Sequence, residues 1–138
     1  MLRIELLSWE NARSRATPIR FEVFVKEQGV PAEIELDEAD AQSIHALAFD
    51  GSQVVGTARL LPDGHIGRMA VLKQFRGKGI GSALLVKLVE AAKQRGERTL
   101  VLSAQVHAVD FYRAHGFRPQ GEVYEEAGIA HQDMRRSI

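Results

Sequence analysis

Three glycines alternate along the chain directly before its longest amphipathic segment, in the run Arg76-Gly77-Lys78-Gly79-Ile80-Gly81. The apolar residues that follow recur at helical spacing, and they are Ile80, Leu84, Leu85, Leu88, Val89 and Ala92, with Gly96 placed to end the helix. Glycine lets the backbone turn tightly and approach a ligand closely. Since a strand-like run precedes the glycines, the sequence predicts a strand, a tight turn and a long helix in this order.

The position of this glycine loop predicts an anion site. The first N–H groups of a helix and the helix dipole both favour an anion, and Arg76 and Lys78 add positive charge. The loop lacks the Gly-Lys-Ser/Thr ending of a P-loop and the Gly-x-Gly-x-x-Gly spacing of a dinucleotide fold, and a kinase loop would lie between two strands. We therefore expect phosphate or pyrophosphate binding, the alternative being that the glycines only make a turn.

Length and composition indicate one globular domain over residues 1–138. Hydrophobic residues make up 45% and charged residues 26% of the chain, close to the globular average. No apolar stretch reaches the roughly 20 residues of a bilayer span, and the N-terminus lacks the features of a secretory signal. We therefore expect a cytoplasmic protein that does not act on a membrane.

Charge and cysteine content exclude several kinds of site and partner. The chain has no cysteine, which excludes a disulfide framework and a thiol nucleophile, and its histidines show no metal-ligand spacing, so no metal is expected. Lys plus Arg balance Asp plus Glu at 18 each, which argues against a nucleic-acid partner. Bases dominate residues 68–98, whereas residues 31–40 are acidic. We interpret the acidic stretch over residues 32–42 as a solvated loop, with a binding role as the alternative.

The remaining periodicities predict an α+β domain with a mixed, mostly antiparallel sheet flanked by helices. Thr17 before Pro18 has the form of an N-cap followed by proline in the first turn, which predicts a helix over residues 18–28. A short helix is predicted over residues 107–115, closed by Gly116. Strands are predicted over residues 2–7, 44–49, 54–61, 65–72 and 99–103, with two more around residues 125–128.

In motif and motif order the chain resembles the GNAT superfamily of acetyl-CoA-dependent N-acetyltransferases. That family has Arg or Gln, two residues, Gly, one residue, then Gly or Ala, and a short helix ending in Phe-Tyr before Gly-Phe. The matching residues are Arg76, Gly79 and Gly81, then Ala108, Phe111-Tyr112 and Gly116-Phe117, with Gln105 where the family often has Asn. Residues 20–31 and 128–131 resemble the small bacterial branch typified by ElaA and YjcF.

The resemblance implies the GNAT fold, acetyl-CoA as co-substrate and transfer of its acetyl group to a primary amine of a small molecule, by direct attack in a ternary complex. In that picture two strands splay apart and the pantetheine arm lies between them, bound by the backbones of Met69 and Val71. The implied cofactor-binding residues are Met69, Ala70, Val71, Arg76, Gly77, Lys78, Gly79, Ile80, Gly81, Gln105, Phe111 and Tyr112.

The resemblance also implies two catalytic residues. Tyr112 is the expected general acid, because a tyrosine with a pKa of about 10 can protonate a thiolate whose conjugate acid has a pKa of about 8.5. An alkylamine acceptor has a pKa of about 10.4 and must lose a proton before it attacks. His65, with an ordinary pKa of about 6.5, is the expected base, and Glu27 and His131 are its rivals. Packing or surface roles are the alternatives for these side chains.

In this fold the acceptor pocket lies between the first helical region and the last strands. The implied acceptor-binding residues are Arg20, Glu22, Glu27, Gln28, Glu125 and His131. Arg20 would either hold an acceptor carboxylate or pair with an acid of the acidic stretch, which itself would suit a cationic acceptor. Two other functions stay open, a non-catalytic acyl-CoA-binding sensor that needs no Tyr112 and an acyl-homoserine-lactone synthase-like enzyme. The last strands also leave a homodimer possible.

Overall fold

A computed structural model describes residues 1–138, which form one eight-stranded sheet with helices on both faces. The strands are β1 Leu2–Leu7, β2 Ile44–Asp50, β3 Gln53–Leu60, β4 His65–Val71, β5 Thr99–Gln105, β6 Arg118–Pro119, β7 Tyr124–Glu126 and β8 Ile129–Ser137. Their order is β1-β2-β3-β4-β5-β8-β6, and β7 also pairs with β8. Only β4 and β5 are parallel neighbours, which confirms the predicted mixed, mostly antiparallel sheet.

The helices lie in the connections between these strands. They are α1 Trp9–Arg20, a π-helical segment Phe21–Glu27 that continues it, α2 Ala32–Glu35, α3 Ile80–Gln94 and α4 Val109–Ala114, with 3-10 turns at Glu38–Gln42, Lys73–Phe75 and Val106–Ala108. None of them combines the length and the apolar surface that a bilayer crossing requires.

Alternation along β2 separates the two faces of the sheet. Ala46 and Ala48 pack in the main core with the buried stripe of α3, whereas Leu47 and Phe49 pack against α1. Successive strand residues point to opposite faces, so α1 and α3 cover opposite sides of the sheet. The predicted stripe of α3 is confirmed, because all six of its apolar residues are buried.

Helix α1 begins nine residues earlier than predicted, so the helix start at Pro18 is wrong. The N–H of Ala12 already donates to the carbonyl of Ser8 at 2.9 Å, and Pro18 lies inside the helix. Ala12 and Ala16 are fully buried and form the contact with the sheet. Alanine gives a weak hydrophobic signal, so this face was missed in favour of the more conspicuous Thr-Pro pair.

The acidic stretch is not the solvated loop that we expected. Glu35 and Asp40 are 5% and 1% exposed, so their carboxylates lie in the interior. Residues 32–42 instead fold into α2 and a 3-10 turn that rest against α1 and β3. Buried charges are costly to leave unpaired, which requires cationic partners within reach.

Two buried arginines supply those partners. Arg20 at the end of α1 donates to Glu35 at 2.6 Å and to Asp40 at 2.8 Å, while Arg59 of β3 donates to Asp40 at 2.9 Å and to Asp37 at 2.7 Å. Asp40 therefore accepts from both guanidinium groups and joins the helix to the sheet. Of the two roles predicted for Arg20, the structure shows the pairing with acids of the acidic stretch.

We expect Asp40→Asn to lower the free energy of unfolding by about 3 kcal/mol at pH 7, since it leaves two buried guanidinium groups without their shared carboxylate. Burial alone would raise the pKa of Asp40, but hydrogen bonds and charges from Arg20 and Arg59 outweigh it and the pKa is lowered. A carboxyl group with a lowered folded-state pKa stabilises the fold above its unfolded value of about 3.9. The difference between variant and wild type should therefore shrink as the pH falls through the folded-state pKa.

Urea denaturation at a series of pH values measures both effects. Glu33→Gln is the matched control, because Glu33 is an exposed acid of the same stretch with no ion pair, and we expect it to change stability by no more than about 0.5 kcal/mol. An Asp40→Asn protein as stable as the control at pH 7 would contradict the structural role of the buried pairs.

Candidate functional site

Strands β4 and β5 are paired over only two residues each. Register partners are His65 with Val101 and Ile66 with Leu102, although β4 continues to Val71 and β5 to Gln105. Beyond these pairs the strands separate, and we call the space between residues 67–71 and 103–105 the gap. Backbone groups that face the gap have no strand partner, so an extended ligand can bind there as an added strand.

A bulge in β4 accompanies the separation. Arg59 of β3 pairs with Gly67 and Thr57 pairs with Ala70, so β4 has one residue more than β3 over this stretch. Arg68 has φ 50°, the left-handed conformation that side chains rarely adopt. A bulge bends its strand and increases the local twist. Here it turns the rest of β4 away from β5, which opens the gap.

The gap belongs to a cavity of about 1100 Å³ that reaches both faces of the sheet. Most of the predicted site residues line it, and these are Glu27, Gln28, His65, Met69, Ala70, Val71, Arg76, Gly77, Gly79, Ile80, Gly81, Gln105, Phe111, Tyr112 and His131. The predicted residues that do not line it are Arg20, Glu22, Lys78 and Glu125. Helices, loop and strands far apart in the sequence are thus brought to one site.

At one end of the cavity the glycine loop exposes backbone donors. Gly77 and Gly79 have φ 78° and 80°, and the first backbone N–H of α3 bonded to a carbonyl is that of Ala83, to Gly79 at 3.1 Å. The three N–H groups at positions 80–82 therefore have no backbone acceptor, which makes the helix start an anion site. The Lys78 ammonium lies 5.4 Å from the centre of the Phe75 ring, outside the cavity.

Arg76 is directed away from these donors. Its two terminal nitrogens donate to the two oxygens of Glu27 at 2.6 and 2.8 Å, and its Nε donates to the carbonyl of Val71 at 2.9 Å. The hydrogen bond from Arg76 lowers the pKa of Glu27, which makes this carboxylate a weaker base. Glu27 is thus a structural partner of Arg76, and its role as an alternative base stays a prediction.

A second pair of side chains joins the same segment to the other side of the gap. The amides of Gln28 and Gln105 donate to one another, at 2.7 and 3.3 Å. With the Arg76–Glu27 pair they form a bridge, which we call the strap, from the end of β4 to the end of β5. The side chain of Gln105, predicted to contact the cofactor, is engaged by Gln28.

Tyr112 lies on the α3 side of the gap. Its hydroxyl is 3.8 Å from the sulfur of Met69, and its ring packs edge-to-face on Phe111 and Phe117, with centroids 5.0 and 6.0 Å apart. Burial raises the pKa of Tyr112 to about 12. The phenol therefore stays neutral at physiological pH and can donate its proton to an anion in the gap.

Two histidines line the opposite side of the cavity, and each uses Nδ1 in a hydrogen bond. His65 Nδ1 lies 2.9 Å from Asp63, and His131 Nδ1 lies 2.7 Å from the carbonyl of Ile129. Because a carboxylate and a carbonyl can only accept, Nδ1 carries the hydrogen in both rings. In the neutral form each Nε2 therefore has a free lone pair, as a base requires.

The structure places three predicted acceptor-site residues, Arg20, Glu22 and Glu125, outside the lining of the cavity. Arg20 is 1% exposed and fully used by its acidic partners, so it cannot hold an acceptor carboxylate. Glu22 is exposed and pairs with Lys26 at 3.5 Å, and Glu125 is exposed on β7. The acids of the 32–42 stretch that point inward are paired with arginines, which removes the argument that this stretch attracts a cationic acceptor.

Sequence reasoning also missed residues that line the cavity. Arg68, Ser103 and Glu126 all do so. Ser103 was detectable in principle, since it follows Leu100 and Leu102 in the strand predicted over residues 99–103 and must face the opposite side from their buried side chains. Arg68 needed the bulge to be known, and Glu126 needed the turn between β7 and β8.

Comparisons with known proteins agree on one family. The acetyltransferase (GNAT) domain family matches residues 11–138. The chain is 42% identical over 122 residues to the uncharacterized N-acetyltransferase YjcF of Bacillus subtilis, which covers 86% of this chain and 87% of that protein. It is 34% identical over 128 residues to ElaA of Escherichia coli, which covers 87% and 84% of the two chains.

Solved structures show the same fold. The crystal structure of Escherichia coli ElaA is similar with a TM-score of 0.89 at 30% identity, over 99% of each chain. An acyl-CoA N-acyltransferase from Pseudomonas aeruginosa is similar with a TM-score of 0.89 at 31% identity, also over 99% of each chain.

Proposed function

Because the chain belongs to the GNAT acetyltransferase family, we propose that it transfers the acetyl group of acetyl-CoA to a primary amine of a small molecule. The family resemblance drawn from the loop and the Phe-Tyr pair is confirmed, as is the fold. Acyl transfer from coenzyme A follows from that membership. The acetyl donor, the amine acceptor and the residue roles below are our proposal.

The observation that carries the proposal is the continuity of the gap with the free amides of the glycine loop. An extended arm fits between β4 and β5, where Met69 and Val71 would bind it through their backbones. A pyrophosphate fits the unpaired N–H groups at positions 80–82, where the helix dipole also favours it. Acetyl-CoA, when bound, supplies the activated acyl group and a thiolate leaving group.

The bulge supplies a donor for the acyl oxygen. Arg68 and Met69 have no register partner on β3, so the regular pairing of the two strands is interrupted at this point. We assign the N–H of Met69, or that of Ala70 beside it, to the oxygen that gains negative charge during transfer. A donor fixed in the strand before the reaction needs no reorganisation, which is the basis of this form of catalysis.

Two side chains, Tyr112 and His65, transfer protons in the proposed reaction. The neutral phenol of Tyr112 protonates the sulfur as the thioester bond breaks, since a phenol buried beside Met69 is a donor and not an anion. His65 accepts a proton from the amine at Nε2, with Asp63 holding the ring in the required tautomer. His65 also begins β4 at the narrow end of the gap, facing the cavity.

We expect acetyl-CoA and CoA to raise the thermal unfolding midpoint by several degrees, and ATP and NAD to leave it unchanged. A ligand at 100 times its dissociation constant adds about 2.7 kcal/mol to the free energy of unfolding. Gly79→Val should abolish the shift, because a β-branched residue cannot hold φ 80° without strain. Gly51→Val is the matched control, at a left-handed glycine in the β2–β3 turn, and should retain it. No shift with acetyl-CoA would mean that the loop is only a turn.

We expect Tyr112→Phe to lower turnover by about ten- to a thousand-fold, because the thiolate then leaves without a proton. Acetyl-CoA affinity, measured by calorimetry on the same variant, should be nearly unchanged, since the ring and its packing remain. Turnover is followed as thiol release with a panel of polyamines, amino sugars and amino acids. Unchanged turnover would remove Tyr112 from the mechanism, whereas binding without turnover in the wild type would favour the sensor.

We expect His65→Ala to remove the acidic limb from the pH dependence of kcat/KM, because the variant lacks the imidazole that accepts the proton of the amine. Asp63→Asn keeps the imidazole and loses its carboxylate partner, so the acidic limb should persist in this variant. The measurement uses the best amine of the same panel. An acidic limb that survives His65→Ala unchanged would assign the base elsewhere.

A further inference from the structure

The amine nitrogen loses more protons in the proposed reaction than His65 alone accepts. An alkylammonium nitrogen carries three hydrogens and the product amide nitrogen carries one, so two protons leave the nitrogen. His65 accepts one of them. The proton that goes to sulfur comes from Tyr112, and water returns a proton to the Tyr112 phenolate when the products leave, so that one proton is released per turnover. A second path from the nitrogen to water is therefore needed, and this inference rests on the proposed function.

Three polar side chains on adjacent strands form a connected cluster at the edge of the cavity. They are Ser103 of β5, Tyr124 of β7 and Asp133 of β8, and Ser103 and Asp133 are cross-strand partners. The Tyr124 hydroxyl lies 2.7 Å from an Asp133 oxygen and is also hydrogen-bonded to the Ser103 hydroxyl. No prediction from the sequence used any of these three residues.

The carboxylate at one end of the cluster sets the direction of both hydrogen bonds. An ionised carboxylate only accepts, so Tyr124 donates its single hydroxyl hydrogen to Asp133. The Tyr124 oxygen must then accept from Ser103, which uses the only hydroxyl hydrogen of the serine. Ser103 therefore presents lone pairs, and no donor, to the cavity. It can receive an N–H from an ammonium group but cannot donate to an acyl oxygen.

Ser103 lies on the same face of the sheet as His65, the proposed base, and lines the same cavity. It directly follows Leu102, the last residue of β5 paired with β4, so its hydroxyl is at the narrow end of the gap. Leu102 and Ala104 point into the core against α3, which directs Ser103 to the α1 face, and Ser103 lines the cavity. Asp133, in contrast, is exposed, so the far end of the cluster is open to water.

We propose that Ser103, Tyr124 and Asp133 form a relay that carries the second proton from the amine nitrogen to solvent. The nitrogen passes a proton to Ser103 Oγ as the serine hydrogen moves to Tyr124 and the tyrosine hydrogen moves to Asp133. Each hydroxyl ends with one hydrogen, nothing is oxidised, and the Asp133 carboxyl group releases the proton to water. Ser103 is the catalytic residue of the relay, and Tyr124 and Asp133 act through it.

The surroundings of Tyr124 hold the relay in place. Its ring stacks on His131, with centroids 5.9 Å apart and planes 20° apart. Burial, the hydrogen bond to Asp133 and the charges of Asp133 and Glu126 raise the pKa of Tyr124, while the bond from Ser103 opposes them. Asp133, Glu126 and His131 are thus the titratable groups that face the phenol, and Arg135 follows Asp133 on the same face of β8.

The first test needs no amine. The chain has two tyrosines, so Tyr112→Phe leaves Tyr124 as the sole phenol and its titration can be followed by NMR with 13C-labelled tyrosine. We expect a pKa above the ordinary value of about 10, which falls when Asp133→Asn is added. Glu122→Gln, an exposed acid two residues away, is the matched control and should leave the titration almost unchanged. An ordinary pKa that Asp133→Asn does not change would overturn the relay.

The second test uses turnover with the best amine of the panel. Tyr124→Phe and Asp133→Asn should each lower kcat/KM by about tenfold with unchanged acetyl-CoA affinity, and the double variant should lose no more than either, since both break one path. A loss in the double variant equal to the product of the two single losses would overturn the relay. Wild-type rates in both single variants would overturn it as well. If the wild type acetylates no amine, the proposed function and the role of the relay fail together, and the titration still shows whether the hydrogen bonds exist.

Discussion

The loss of pairing between β4 and β5 is the constraint on which the site depends. A sheet of this size normally leaves unpaired backbone only at its edges, yet here two central strands separate after two residue pairs. The bulge at Arg68 bends β4, and the main core of α3 against the sheet keeps both strands in place on either side. The unpaired backbone is therefore held open by packing, in a position where a ligand can complete the sheet.

The buried ion pairs give the α1 side of the cavity its rigidity. Three acids and two arginines from α1, the acidic stretch and β3 are joined through Asp40, which is almost fully buried. An apolar cluster of the same volume could be equally stable, because desolvation offsets much of the attraction between buried charges. Unlike an apolar cluster, the buried ion pairs also fix the orientation of their side chains, since each guanidinium fits only one arrangement of carboxylates. The α1 wall of the cavity is thereby set to a single geometry.

Patterns in the sequence predict those features of the protein that depend on residues within one segment. The stripe of α3, its glycine end at Gly96, the loop before it and the Phe111-Tyr112 pair all follow from spacing within one segment or from the family resemblance. The paired acids could not be predicted in this way, since Arg20 and Asp40 are brought together only by the packing of α1 on β3. The contact of Ser103 with Tyr124 likewise depends on the register of three strands. The early start of α1 was hidden because alanines make its buried face.

The two ends of the strap differ in chemistry, so dissolved salt affects them differently. Its Arg76–Glu27 end is a charged pair with side chains 39% and 36% exposed, whereas its Gln28–Gln105 end is a neutral pair of amides. Dissolved ions screen exposed charges over a Debye length of about 8 Å at physiological ionic strength and leave amide hydrogen bonds almost untouched. Rising ionic strength thus weakens the strap at the glycine loop first, and the amide pair at Gln105 is the more persistent of its two attachments.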